Sequence, residues 1–139
     1  MSDTPDECSD LVKDLESARG TVRLNGLGLG LSVEYLMAKE EVDKVIAVEI
    51  SKEVIELVVP TLERLYGDRL EVRNENVLRV KPGMDERYDF VYHDIWQNIG
   101  IDNLREMEFL TRRYASKAAF QACWCRRECE EQRKFLVGR

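Results

Sequence analysis

The chain has 139 residues, a formal net charge of -6, and 44% hydrophobic and 35% charged residues. That is one domain's worth of protein with enough apolar content for a core, which excludes disorder, and no apolar run approaches the roughly 20 residues that span a bilayer. The acidic start, Met1 to Glu16, is neither a secretory signal nor a transit peptide, so the cytoplasm is the expected compartment.

Thr4-Pro5-Asp6-Glu7 has the form of a capped helix start, and Leu11, Val12 and Leu15 share one face, predicting a helix from about Pro5 to Ala18. Thr21 to Asn25 reads as a short strand running into Gly26. Leu31 to Lys39 follows as a helix with Leu31, Tyr35 and Leu36 inward. Lys44 to Ile50, β-branched and apolar, is a buried parallel strand. Lys52 to Leu65 is a helix that Pro60 should kink or split. Leu70 to Arg73 is a third strand, Pro82-Gly83 a loop, and Tyr88 to His93 a fourth strand. Asp102 to Tyr114 is a helix with Leu104, Met107, Phe109 and Leu110 spaced for burial. Ala118 to Ala122 is a fifth strand, and Trp124 to Phe135 a last helix.

Strands alternating with helices at this rhythm build a parallel sheet with helices on both faces. The expectation is one Rossmann-like, doubly wound, mostly parallel α/β domain of three layers and about five strands. It spans residues 1–139: a helix in 1–20, a ligand-binding half in 21–96 and a helical and strand part in 97–139.

The chemistry concentrates in two places. Asn25-Gly26-Leu27-Gly28-Leu29-Gly30 lies between a strand and a helix, where missing side chains let backbone approach a ligand near a helix N-terminus. Its G-x-G-x-G spacing departs from the G-x-G-x-x-G of dinucleotide sites and lacks the Gly-Lys-Ser/Thr of a P-loop, so it favours a nucleoside without a pyrophosphate. Glu49, near the end of the second strand, is placed to accept hydrogen bonds from ribose hydroxyls. The alternative readings are a tight turn without ligand and a solvated acid at a strand end.

Taken in order, the glycine loop and Glu49 resemble the class I S-adenosylmethionine-dependent methyltransferases, over Thr21 to about Trp96. The segment Lys44 to Leu57 (KVIAVEISKEVIEL) is especially similar to the spermidine synthase branch. The resemblance implies S-adenosylmethionine as cofactor, held by Asn25, Gly26, Gly28, Gly30 and Glu49, with Asn76 on a base edge and Val77 on its face. It also implies a catalytic role for Asp94, which matches the aspartate that acts as a base in polyamine synthases. Trp96 is set to stack on the adenine or face the sulfonium, with packing an equal alternative. The departures are Leu24, where methyltransferases carry an acid, Gln97 and Asn98 in place of an acid and a proline, and no antiparallel closing strands after the fifth.

The expected function is a small methyltransferase of unknown acceptor. The alternatives are a non-catalytic Rossmann-like binding or scaffold module and another S-adenosylmethionine-using enzyme of aminopropyltransferase type. An ordinary aspartate near pKa 3.9 is a weak base at neutral pH, so Asp94 would need desolvation to act as one. Alternation puts His93 and Asp94 on opposite faces, which makes the lone histidine structural. Cys123, Cys125 and Cys129, spaced C-x-C-x3-C, read as buried thiols, and no metal is expected. The basic run Arg112 to Lys117, continued by Arg126 and Arg127, is followed by Glu128, Glu130 and Glu131, which argues against a broad nucleic-acid-binding face. An uncovered fifth strand would favour a homodimer.

Overall fold

The computed structural model describes residues 11–137. Residues 11–15 are helical, and the rest of the predicted N-terminal helix up to residue 10, with its cap and Cys8, lies outside the described residues. The elements that follow are β1 (Gly20–Asn25), α1 (Leu31–Met37), β2 (Val42–Glu49), α2 (Lys52–Tyr66), β3 (Leu70–Asn74), β4 (Tyr88–His93), α3 (Asp102–Tyr114), β5 (Ala118–Cys123) and α4 (Arg126–Val137). Every expected strand and helix from β1 onward is present, with ends shifted by at most two residues, and the N-terminal helix stops at residue 15 rather than 18.

The five strands form one sheet in the order β3-β2-β1-β4-β5, and every pairing is parallel. The strand order reverses between β1 and β4, which opens a crevice at their carboxyl ends. Residue parity sorts the two faces. Val22, Leu24, Val45 and Ala47 pack with Leu11, Leu15, Val33, Leu36, Val59 and Leu62, so the N-terminal helix, α1 and α2 cover one face. Ile46, Val48 and Val91 pack with Leu110 and Tyr114, so α3 covers the other. The result is a three-layer α/β/α Rossmann-like fold.

Pro60 does not split α2, which runs unbroken from Lys52 to Tyr66. Pro60 faces solvent, while Val59 and Leu62 anchor the helix in the core. Ser51 caps it by accepting from the Val54 amide at 3.2 Å. Phe109, expected inside, is 43% exposed, with the Arg113 guanidinium 4.4 Å from its ring centroid. The predicted last helix begins two residues late because Trp124 and Cys125 form the turn after β5, Cys125 at φ +53°.

Between β3 and β4, residues 75–87 cross the sheet without a helix. This loop carries Asn76 and Val77 at one end and Glu86 at the other. Polar side chains hold it: Arg113 donates to the Val77 carbonyl at 3.2 Å, and Lys117 to the Met84 carbonyl at 2.6 Å.

Candidate functional site

A cleft of about 500 Å³ opens where the strand order reverses. That volume suits a small organic ligand. Gly26, Gly28, Glu49, Asn76, Val77, Asp94 and Trp96 all line it, so residues far apart in sequence meet in one cavity.

Each has a structural reason for its position. Gly26 ends β1 at φ +114°, and a Cβ there would lie 1.9 Å from the Asp94 carbonyl oxygen. The glycine therefore lets the end of β4 cross directly beside the loop, and this contact sets where Asp94 stands. Gly28 continues the loop at φ +55°. Glu49 is the loop's organiser. Its Oε1 accepts from the Leu27 and Gly28 amides at 3.0 and 3.4 Å, and its Oε2 from the Ser51 amide at 3.0 Å. A carboxylate offers about four acceptor positions, so three amides fix its orientation and leave capacity toward the cleft.

Asn76 accepts from the Leu78 amide through Oδ1 at 3.0 Å, which turns the chain and leaves its NH2 as a donor. Val77 is buried beside it. Asp94 is 7% exposed, and its amide donates to the Asn25 carbonyl at 2.8 Å, so β4 stays registered to β1 up to this residue. Trp96 lines the cleft and also packs against both core clusters under α3, and its Nε1 donates to Glu106 at 2.9 Å. The packing reading of the indole therefore holds, and its cleft-facing surface is left open to a ligand.

Two of the expected binding residues lie elsewhere. The Asn25 side chain is fully buried on the α3 side of the sheet, opposite in parity to Leu24. It accepts from Arg23 Nε at 2.9 Å and contacts His93 Nδ1 at 3.0 Å. Gly30 does not line the cleft; it begins α1 at φ +87°, and a Cβ there would press on Val58 and Leu62 of α2 at 3.0 and 3.1 Å. Its absence of side chain serves the packing of two helices. Conversely, Ile50, Ser51 and Val54 line the cleft and were not singled out in the sequence. Their signal was adjacency to Glu49 in the turn from β2 to α2.

His93 is 0% exposed. Its Nε2 pairs with Gln121 Oε1 at 2.8 Å and its Nδ1 with the Asn25 side-chain Nδ2, an arrangement that fits the tautomer with hydrogen on Nε2. Burial pushes its pKa down to about 4; the Gln121 bond opposes this and the Arg23 charge adds to it. The ring is neutral and structural.

It belongs to a buried polar network that the sequence reading missed. Arg23, 1% exposed, donates to the Tyr88 hydroxyl at 3.0 Å and lies 3.5 Å from Glu86 Oε2. Tyr88 also hydrogen-bonds Glu86. Burial raises the Glu86 pKa, but Tyr88, Arg73 and the Gly83 amide outweigh it and hold the carboxyl at about 2.

Cys123, Cys125 and Cys129 are buried free thiols, and burial raises the Cys123 pKa to about 11. Among the described residues no group of three or more His, Cys, Asp or Glu side chains is placed to hold a metal, and no helix is long and apolar enough to cross a membrane.

No protein-family profile matches the chain, and no curated protein matches it. Solved structures share its fold. The N-terminal domain of EvdMO1 with SAH bound superimposes with a TM-score of 0.65 at 18% identity, covering 88% of this chain and 50% of that one. The 23S rRNA methyltransferase ErmE gives 0.61 at 18% identity, covering 85% and 44%. An S-adenosylmethionine-dependent methyltransferase from Clostridium acetobutylicum gives 0.56 at 12% identity, covering 84% and 47%. The chain thus shares the Rossmann-like fold of these three proteins and spans half or less of each. None of these comparisons singles out the spermidine synthase branch.

Proposed function

We propose that the chain binds S-adenosylmethionine in the cleft at the β1–β4 switch point and transfers its methyl group to an acceptor. The observation that carries this reading is the meeting of the glycine loop, Glu49, Asn76-Val77 and Asp94-Trp96 in one cavity of suitable size. The residues fit the cofactor. Glu49 is oriented by three amides and retains acceptor capacity for ribose hydroxyls. Asn76 has a donor available for a base edge, and Val77 and Ile50 supply apolar surface. The bound cofactor would supply a methyl group already activated by its sulfonium. The chain's task is then to hold and orient: Asp94 would accept a hydrogen bond from the incoming nucleophile, and the Trp96 face, fixed by Glu106, would flank it.

Titration calorimetry with S-adenosylmethionine, S-adenosylhomocysteine and NAD tests this. The first two should bind in the micromolar range and NAD should not. Glu49→Gln should weaken binding about tenfold, the equivalent of about 1.4 kcal/mol. A folded protein that binds neither adenosyl ligand at millimolar concentration overturns the reading. Asp94→Asn should spare binding and abolish turnover; unchanged turnover would make Asp94 a structural residue and leave the reaction to other groups. Aminopropyl transfer has only the Lys44 to Leu57 segment behind it, with Gln97 and Asn98 against it.

The reading extends to self-association. Strand β5 pairs only with β4 among the described residues, carries no charged side chain, and leaves Phe120 66% exposed. A second copy meeting this edge would continue the sheet. Sedimentation at tens of micromolar should show dimer, and a pure monomer removes the proposal.

A further inference from the structure

The outer side of α3 carries a groove of about 630 Å³, separate from the cleft. Lys81 and Pro82 of the crossing loop form one side. Arg105, Phe109, Arg112 and Arg113 form the other, with Lys117 at the end. Five cations face a single carboxylate, Glu108, on a chain whose net charge is -6. Residues 105, 109, 112 and 113 fall on one stripe of the helix, about 12 Å long at 1.5 Å per residue.

The cations divide by their partners. Arg113 and Lys117 hold loop carbonyls, and Arg112 pairs with Glu108 at 2.5 Å. Lys81 and Arg105 are exposed, and their side chains make no hydrogen bond or ion pair among the described residues. A solvated helix face would mix the two signs; here positive charge gathers in a concavity around an exposed aromatic ring. The Arg113 guanidinium lies over that ring, Phe109, and its Nη1 reaches the carbonyl of Val77, which lines the cleft. Groove and cleft are therefore back to back, sharing the crossing loop.

We infer that this groove binds the phosphodiester backbone of a single-stranded nucleic acid, with Phe109 as a stacking surface for a base. A positive groove that tracks phosphates and an aromatic side chain that takes a base face are the two components such binding needs. An acidic peptide would use the charges, but only an aromatic residue at the right place in it could use the exposed face of Phe109, whereas every nucleotide of a single strand offers a planar base. Such a groove runs against the expectation, drawn from net charge and from the intermixed run at 112–131, that the chain has no broad nucleic-acid-binding face. The charges are intermixed in sequence, but in space Lys81 and Arg105 join Arg112, Arg113 and Lys117, while Glu128, Glu130 and Glu131 lie on α4 and do not line the groove. That the bound strand also supplies the methyl acceptor rests on the function proposed above; the groove itself does not.

The test is fluorescence anisotropy of the full chain with labelled 20-mers of deoxythymidylate and of uridylate, at 50 mM salt and without cofactor. Micromolar binding is expected, weakening with salt by about 0.7 log units per log unit for each phosphate contacted. Lys81→Glu with Arg105→Glu should weaken it at least tenfold with an unchanged circular dichroism spectrum. Phe109→Ala should weaken it about tenfold through lost stacking. A preference for one oligomer assigns DNA or RNA. The inference is overturned by no binding at tens of micromolar protein, by binding that the double charge reversal leaves intact, or by a poly-glutamate peptide that competes as well as the oligonucleotide. Because no cofactor is present, these outcomes are independent of whether the cleft binds S-adenosylmethionine.

Discussion

Among the described residues, strands β3 and β5 each leave one row of backbone groups unpaired by the sheet, and their sequences treat that exposure differently. Strand β3 (LEVRN) carries Glu71 and Arg73, which bond each other at 2.5 Å, while Lys44 reaches Glu71 and Arg73 reaches Glu86 at 2.8 Å. Through Glu86 the charges continue inward to Tyr88 and the buried Arg23. Strand β5 (AAFQAC) has no charge, and its inward anchor is the neutral pair Gln121–His93. Charge on an edge strand discourages pairing with another chain, and its absence leaves the edge open to one. One edge is closed by electrostatics that also hold the core; the other is held by neutral contacts and is available.

The strongest way to break this contrast is at Glu86. Glu86→Ala should cost about 3 kcal/mol or more in urea unfolding, because it leaves buried Arg23 without its carboxylate. Glu86→Gln, which keeps a hydrogen-bonding group, should cost less. Acid should then separate the two edges. His93 has a folded pKa of about 4 against 6.5 unfolded, so the unfolded state binds the proton first. The stability it confers is present above pH 6.5 and is lost as pH falls toward 4, a change of about 3 kcal/mol at most. Glu86, at about 2 against 4.5, contributes stability that is lost only from pH 4.5 downward. The β5 side should therefore loosen before the β3 side, visible as earlier loss of amide protection in β5 and α3. In His93→Gln the stability change between pH 6.5 and 4.5 should flatten. A single acid transition with both sides lost together would contradict this order.

Smaller effects sharpen the comparison at the surface. Phe120→Lys should abolish any self-association seen by sedimentation while changing unfolding free energy by less than about 1 kcal/mol, as exposed sites do. Lys44→Ala should change stability least, by about 0.5 kcal/mol, because its pair with Glu71 is more than one-third exposed on both sides. A large loss there would mean that the outer charges on β3 bear more of the structure than their exposure implies.

The sequence made the order of elements legible because strand runs and helix faces have local periods. The cleft was legible where backbone geometry speaks through glycine: Gly26 and Gly28 in the loop, with Glu49 across from them. Asn25 was misplaced because a one-residue difference between strand end and loop start reverses the side a side chain faces. The parity of Leu24 would have placed it. Gly30 looked like part of a ligand loop, but its reason lies with Val58 and Leu62 on a later helix, a contact no local window contains. The Arg23 network joins residues some sixty positions apart and leaves only one local sign, an arginine inside an apolar strand. The groove on α3 was hidden for a related reason: Lys81 reaches it from a loop whose path has no periodic signal.

Strand β1 sits at the middle of the sheet, yet its two neighbours arrive at very different times during synthesis. Strand β2 follows it after one short helix, while β4 emerges only after β2, α2, β3 and the crossing loop. A nascent chain can therefore assemble β3-β2-β1 as a half-sheet on the ribosome and must wait with the far side of β1 open. During that interval Arg23 and Asn25, later buried among Tyr88, His93 and Glu86, remain hydrated. Closure of the sheet is thus coupled to their dehydration. Long-range parallel pairing of this kind is slow, so the dehydration of Arg23 and Asn25 belongs to the late step in which β4 docks.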